Sequence, residues 1–190
     1  MAVLGTLGIR RLGMAVLGVA LALAIGRPLR ADDNALEAAV KATYLYKLAP
    51  FVTWPASALP ARAPFAICVV GADPFGPMLD RAVAGQSIGD HPIVVRHVPR
   101  AEVSGACPLM YLGGSHSQSV KDALKALRGM PVLTVTDGSA SPGIVDFVVV
   151  AGRVRLRIDD QAAAEGGLTI SSKLLGLALS VRGRTQGATP

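Results

Sequence analysis

Side chains with usable chemistry are few and scattered. His91, His97 and His116 are the only histidines in the 190 residues. None stands in an HxxxH or HExxH spacing, which would set two imidazoles on one helix face for a metal. All three therefore read as ordinary surface or half-buried side chains. Ser115 and His116 have the residue types of a nucleophile and its base, but such a pair must meet in space, which adjacency in sequence does not ensure. The segment Gly113-Gly114-Ser115-His116-Ser117 lacks the Gly-Lys-Ser/Thr of a phosphate loop and is not a GxSxG elbow. It follows a strand and opens a helix, which is where an open α/β sheet takes up ligands. The plainer reading is a tight turn and then a helix capped by Ser115 or Ser117. Gly71-Ala72-Asp73-Pro74 is a similar loop, with Asp73 as helix cap and no second carboxylate for acid–base work.

Arg153, Arg155 and Arg157 alternate with Val154, Leu156 and Ile158. A period of two puts three guanidinium groups on one face of a strand and three aliphatic groups on the other. The simplest role is the solvated face of an edge strand, where charge also deters strand-to-strand association. The functional alternative is a contact surface for carboxylate or phosphate groups, which guanidinium forks match. Cys68 and Cys107 are the only cysteines. In an oxidising compartment an even pair suggests a disulfide closing a loop of about 40 residues; two buried thiols are the alternative.

The elements that must position these residues follow from periodicity. Asp32, Asp33 and Asn34 are capping types ahead of Leu36, Val40, Tyr44 and Leu48, so the spacing predicts an amphipathic helix from Asn34 to about Val52, broken near Pro50. Tyr44, Leu48 and Phe51 read as core, and Trp54 before Pro55 as an anchor for the helix end. Phe65–Val70 is an uninterrupted apolar run between Pro64 and Gly71, as expected of a strand buried on both faces. A helix from Asp73-Pro74 to Ala84 follows, then strands at 92–98, 109–112 and 132–136. A helix at 115–127 separates the last two of these. Val145–Val150 and Arg153–Ile158 form a hairpin around Ala151-Gly152. A helical turn at 162–165, a last helix at 173–181 capped by Ser171 or Ser172, and a fraying tail from Arg182 complete the chain. Helices alternating with buried strands predict an α/β three-layer sandwich. Its mostly parallel sheet would have about six strands and end in a C-terminal antiparallel hairpin at the edge.

Hydrophobic residues make up 51% of the chain and charged residues 17%, which excludes a disordered protein. Aromatic residues are only 4%, which argues against stacking platforms for nucleic acid. The formal charge is +6, but Arg10, Arg11, Arg27 and Arg30 stand in a stretch without acids. Removing those four from 19 basic residues leaves 15 against 13 acidic ones, so the basic character is mostly N-terminal. Arg10-Arg11 precede fourteen uncharged residues from Leu12 to Ile25. That is short for a membrane span of about 20 residues and suited to the core of a signal peptide. Residues 1–31 are thus expected to be a signal peptide cleaved near Ala31, and residues 32–190 a single exported domain.

Five segments together resemble the YfiR family of periplasmic proteins: Val40-Lys41-Ala42-Thr43-Tyr44-Leu45-Tyr46 running to Phe51-Val52-Thr53-Trp54-Pro55; Ile67-Cys68-Val69-Val70-Gly71-Ala72-Asp73-Pro74-Phe75-Gly76; Cys107-Pro108-Leu109-Met110-Tyr111-Leu112; Pro131–Asp137; and Gly152–Ile158 with Gly167–Leu175. The resemblance implies a periplasmic regulator rather than an enzyme, with no cofactor, metal or catalytic residue. It would bind and repress the periplasmic domain of an inner-membrane diguanylate cyclase, and so control cyclic-di-GMP and biofilm formation. Homodimers, and an outer-membrane lipoprotein partner in some systems, belong to the same implication; nucleic acid does not. The pair Cys68–Cys107 matches a family disulfide. A second family disulfide has no counterpart here, since residues 141–150 contain no cysteine. Where relatives usually carry an acid, this chain has Arg157. The expected contact surface for the cyclase is Phe147, Arg153, Arg155, Arg157 and the segment Ile170, Ser171, Ser172, Lys173 and Leu174. The runner-up is a periplasmic small-molecule-binding protein using the Gly71 and Gly113 loops.

Overall fold

A computed structural model describes residues 29–102 and 107–184. The expected signal-peptide stretch up to residue 28, including the apolar run, and the tail beyond Arg184 lie outside these residues. The chain divides into a unit ending at Ala35 and a second unit from Leu36 onwards. Helix α1 is Leu29–Leu48. It continues into a 3-10 turn at Ala49–Phe51, with Pro50 in its first turn, and a short strand β1, Val52–Thr53. Then come β2 (Phe65–Gly71), α2 (Pro77–Val83), β3 (Ser87–Ile88), β4 (His91–Val98), β5 (Leu109–Gly114), α3 (Val120–Ala126) and β6 (Leu133–Asp137). The chain ends with β7 (Val145–Val150), β8 (Arg153–Asp159), α4 (Asp160–Glu165), β9 (Thr169–Ile170), α5 (Ser172–Leu177) and β10 (Ser180–Arg182).

The main sheet has eight strands in the order β10-β8-β7-β6-β5-β2-β4-β3. From β4 to β7 all neighbours are parallel, and β7–β8 is the antiparallel hairpin. Its two-residue turn puts Ala151 at φ 49° and Gly152 at φ 70°, the left-handed pair that matches strand twist. Two apolar cores lie on opposite faces of the sheet. The larger joins Ile67, Tyr111, Val135 and Phe147 to α1, α2 and α5 through Leu45, Leu79 and Leu174. The smaller joins Cys68, Val70, Met110 and Leu112 to α3 through Ala123 and Leu127. This is the three-layer α/β sandwich predicted from the alternation of strands and helices.

The sheet is wider than expected, because β10 and β3 are too short to leave a periodic signal. β10 pairs in parallel with β8, so the hairpin does not form the sheet edge. Ser180 and Val181, expected within the last helix, and Arg182, expected to open the fraying tail, are that strand; the helix stops at Leu177.

Three helix starts also move. Helix α1 begins by Leu29, so Asp33 and Asn34 lie inside it rather than capping it. Its buried positions are Lys41, Ala42, Leu45 and Leu48, whereas Leu36 is 67% and Tyr44 37% exposed. The i, i+4 count through Leu36 and Tyr44 was set about one residue out of phase. A step of one residue turns a helix by roughly 100°. Helix α2 starts at Pro77, not Pro74; Asp73 instead accepts hydrogen bonds from the Phe75 and Gly76 amides, closing the preceding turn. Helix α3 starts at Val120 with Ser119 as its cap, because residues 115–118 form a separate turn.

Candidate functional site

The two glycine loops meet at the point where the chain changes direction across the sheet. After β2 the chain runs to β4 on one side, and β5 then joins β2 on the other. The helices after β2 and β5 pack on opposite faces. In open α/β sheets such a switch point leaves a crevice at the strand ends for a ligand. Here the crevice is shut. The Ala72 amide donates to the Gly114 carbonyl at 2.8 Å. A Cβ on Gly71 would stand 2.2 Å from the Gly114 oxygen, and one on Gly113 would stand 1.9 Å from the Ala72 oxygen. Glycine serves here to let two backbones touch, not to let a ligand in.

Nor does the neighbouring turn assemble a nucleophile. The Ser115 hydroxyl lies 3.0 Å from that of Ser117 and accepts from the Gln118 amide at 3.2 Å, while the Ser115 amide donates to the Gln118 carbonyl. Its bonds close a turn and none of them is to His116. His91 Nδ1 stands 2.6 Å from the Ala63 carbonyl, and His97, half exposed, stands 3.6 Å from Asp73.

The cysteines are joined. The Cys68–Cys107 disulfide links β2 to the segment entering β5, with the Cα atoms 5.8 Å apart. Cys68 is fully buried in the smaller core.

The arginine ladder holds as an exposed face. Arg153, Arg155 and Arg157 are exposed, while Leu156 and Ile158 are buried in the larger core. None of the three arginines has an ion pair among the described residues. Across the strands the row Thr136–Asp146–Arg157 shares this face. Asp146 is buried under the loop that leads out of β6. One of its oxygens accepts from the Thr136 hydroxyl at 2.6 Å and, more weakly, from the Ser139 amide; the other has no partner among the described residues. The same loop is fastened further along by the Gly143 amide to Thr136 Oγ1 and the Ile144 amide to Thr134 Oγ1.

The remaining members of the expected contact surface are placed differently. Phe147, Ile170 and Leu174 are core residues, 0%, 4% and 3% exposed, so a partner reaches them only through their neighbours. The Ser171 side chain caps α5 by accepting from the Leu174 amide. Ser172 and Lys173 are exposed, with the Lys173 ammonium 5.8 Å from the Phe51 ring centre. Because α5 packs into the larger core, these two lie on the opposite side of the sheet from the arginines. One flat contact does not take in both sets.

Sequence reasoning missed the role of Lys41, the most heavily bonded charged group among the described residues. Lys41 is 4% exposed, and its ammonium donates to Glu37 on the preceding turn and to both oxygens of Asp137 at 2.6 Å. Burial draws its pKa down, but the hydrogen bonds and charges of Asp137 and Glu37 outweigh that and hold it above its usual 10.5. Tyr111 is raised well above the ordinary tyrosine value, first by burial and then by the charges of Asp137, Asp73 and Asp146. The Glu37–Lys41 spacing is a readable i, i+4 pair, but Asp137, distant in sequence, is not.

Among the described residues no helix is long and apolar enough to cross a membrane. The model of the YfiR/HmsC-like family matches residues 38–179, from the middle of α1 to the segment between α5 and β10. The chain belongs to that family. No curated protein matches it.

Proposed function

We propose that this chain is a periplasmic regulator that binds the periplasmic domain of an inner-membrane diguanylate cyclase and holds the enzyme inactive. The observation that carries this reading is the family match across nearly the whole described α/β unit. The mechanism is linkage: the regulator binds the inactive conformation of the cyclase more tightly and draws the equilibrium toward it. The contact surface within this reading is narrower than the sequence suggested. Arg153, Arg155 and Arg157 offer three unpaired guanidinium groups in a row, matched to carboxylates on the partner. The closed switch point and the turn-bound Ser115 leave the small-molecule and hydrolase readings without a site in those loops.

The test is calorimetric titration of the exported chain with the periplasmic domain of an inner-membrane diguanylate cyclase from the same organism. R153E with R155E is expected to weaken binding at least tenfold, with a melting temperature within about 2 °C of the parent because both side chains are exposed and stand opposite valines. Unchanged affinity removes the ladder from the contact. No binding by the parent chain removes the proposed function.

A further inference from the structure

A groove of about 780 Å³ runs along α3, on the smaller-core side of the sheet. This lies within the roughly 300–1,000 Å³ typical of pockets that enclose a ligand. Lys121, Lys125 and Arg128 line it, and all three are exposed. None has an ion pair among the described residues. The lining holds Lys121, Lys125, Arg128 and Arg182 against Asp122, Asp159 and Glu165, an excess of one positive charge, and of these acids only Asp159 is in an ion pair among the described residues. Asp122 takes the Ser119 hydroxyl at 2.6 Å, Asp159 caps α4 and pairs with Arg182, and Glu165 accepts from Gln161. The far side is the β6–β7 loop at Ser141–Ile144, held rigid by its bonds to Thr134 and Thr136.

From this we infer a docking groove for an extended acidic segment of a partner polypeptide. The cations follow one another along the chain direction of α3. At 1.5 Å rise per residue, Lys121 and Lys125 are separated by about 6 Å along the axis, and Arg128 stands in the turn that follows the end of α3 at Ala126. Alternate side chains of an extended strand repeat every 6–7 Å. Carboxylates two positions apart on such a strand can therefore meet Lys121 and Lys125, with Arg128 in the following turn next in line. A single small anion would need them to converge on one point, and they are strung out instead. A flat bilayer surface does not enter a concave groove with a fixed loop as its far wall. The groove goes beyond the cyclase contact proposed above, since Arg153, Arg155 and Arg157 are not among its lining residues.

The experiment is fluorescence anisotropy of the full exported chain with labelled eight-residue peptides: alternating Glu-Ser, alternating Gln-Ser, and alternating Lys-Ser. The Glu-Ser peptide is expected to bind at least tenfold more tightly than either other peptide, and to weaken as salt is raised. K121E with K125E and R128E is expected to abolish this preference, and K47E with R81E and R96E, three exposed cations outside the groove, to leave it within twofold. Melting curves for both triple variants confirm that they fold. Equal binding of the Gln-Ser peptide, no binding by the Glu-Ser peptide at millimolar concentration, or an unchanged affinity in the α3 variant would each overturn the groove. Capture by phosphatidylglycerol vesicles without peptide binding would overturn it in favour of a membrane contact.

Discussion

Replacing both cysteines, C68A with C107A, is expected to cost about 4 kcal/mol of folding stability. The disulfide joins residues 39 apart in sequence, and the loop between them carries α2, β3 and β4. Chain entropy alone assigns roughly 4 kcal/mol to a closure of that length. At about 2–4 °C per kcal/mol for a domain of this size, the melting temperature should fall by roughly 10 °C or somewhat more. Alanine is the informative replacement, because Cys68 is fully buried among Ala66, Val70, Met110 and Leu112. Serine there would add a buried hydroxyl and confuse the reading. Urea unfolding of the oxidised parent and the double variant measures the difference. A loss below about 1 kcal/mol would mean that the unfolded chain is already held compact without the bond.

K41A is expected to be the most damaging single substitution of a charged residue, at about 2–3 kcal/mol. Removing one partner of a fully buried ion pair costs about 3–5 kcal/mol. The lower figure applies because the Asp137 and Glu37 side chains are 27% and 36% exposed and water can reach them. The variant also leaves these two acids facing the space the ammonium occupied. The same residue predicts a pH dependence. Its folded pKa lies above 10.5, so the folded state holds the proton longer than the unfolded chain does. The stabilisation is complete below 10.5 and is lost as pH rises through the folded pKa. Tyr111 acts in the same direction, because its hydroxyl ionises in the unfolded chain near 10 and in the folded state well above that. Stability should therefore be flat on this account through neutral pH and fall steeply above about pH 10. Y111F should make the alkaline fall shallower with little change at pH 7, and K41A should do so with a large loss at neutral pH that narrows as pH rises. Thermal melts between pH 7 and 11 measure both slopes, and an identical alkaline limb in all three proteins would contradict the assignment.

Sequence reasoning reached the strands best where burial on both faces wrote a continuous apolar run. Phe65–Gly71 matches the expected strand almost residue for residue, and the hairpin turn at Ala151-Gly152 was legible from spacing. The alternation in β8 likewise survives as exposed arginine and buried aliphatic. The failures have physical causes. The loops at Gly71 and Gly113 read as turns or a ligand site, whereas in the structure the group each glycine approaches is the other loop. Tyr44 looked like core because an i, i+4 count cannot fix the phase of a helix whose true inner row includes a lysine. That lysine is buried because Asp137, nearly a hundred residues away, arrives at the end of β6 to meet it. Phe147 sits on β7, whose first four residues are all buried, so its side chain is taken up by the core before any partner arrives. The α3 groove was invisible for a related reason: Lys121, Lys125 and Arg128 look like ordinary surface residues until the β6–β7 loop folds up opposite them.

The proposal that this chain restrains a membrane cyclase from the periplasm is tested most directly by cellular cyclic-di-GMP. The level would be measured in a strain lacking the gene, in that strain carrying the full chain, and in that strain carrying residues 32–190 without the N-terminal segment. The account predicts a rise on deletion that the full chain reverses and the truncated chain, kept in the cytoplasm, does not. No rise under conditions where the gene is expressed, or equal reversal by the truncated chain, would contradict it.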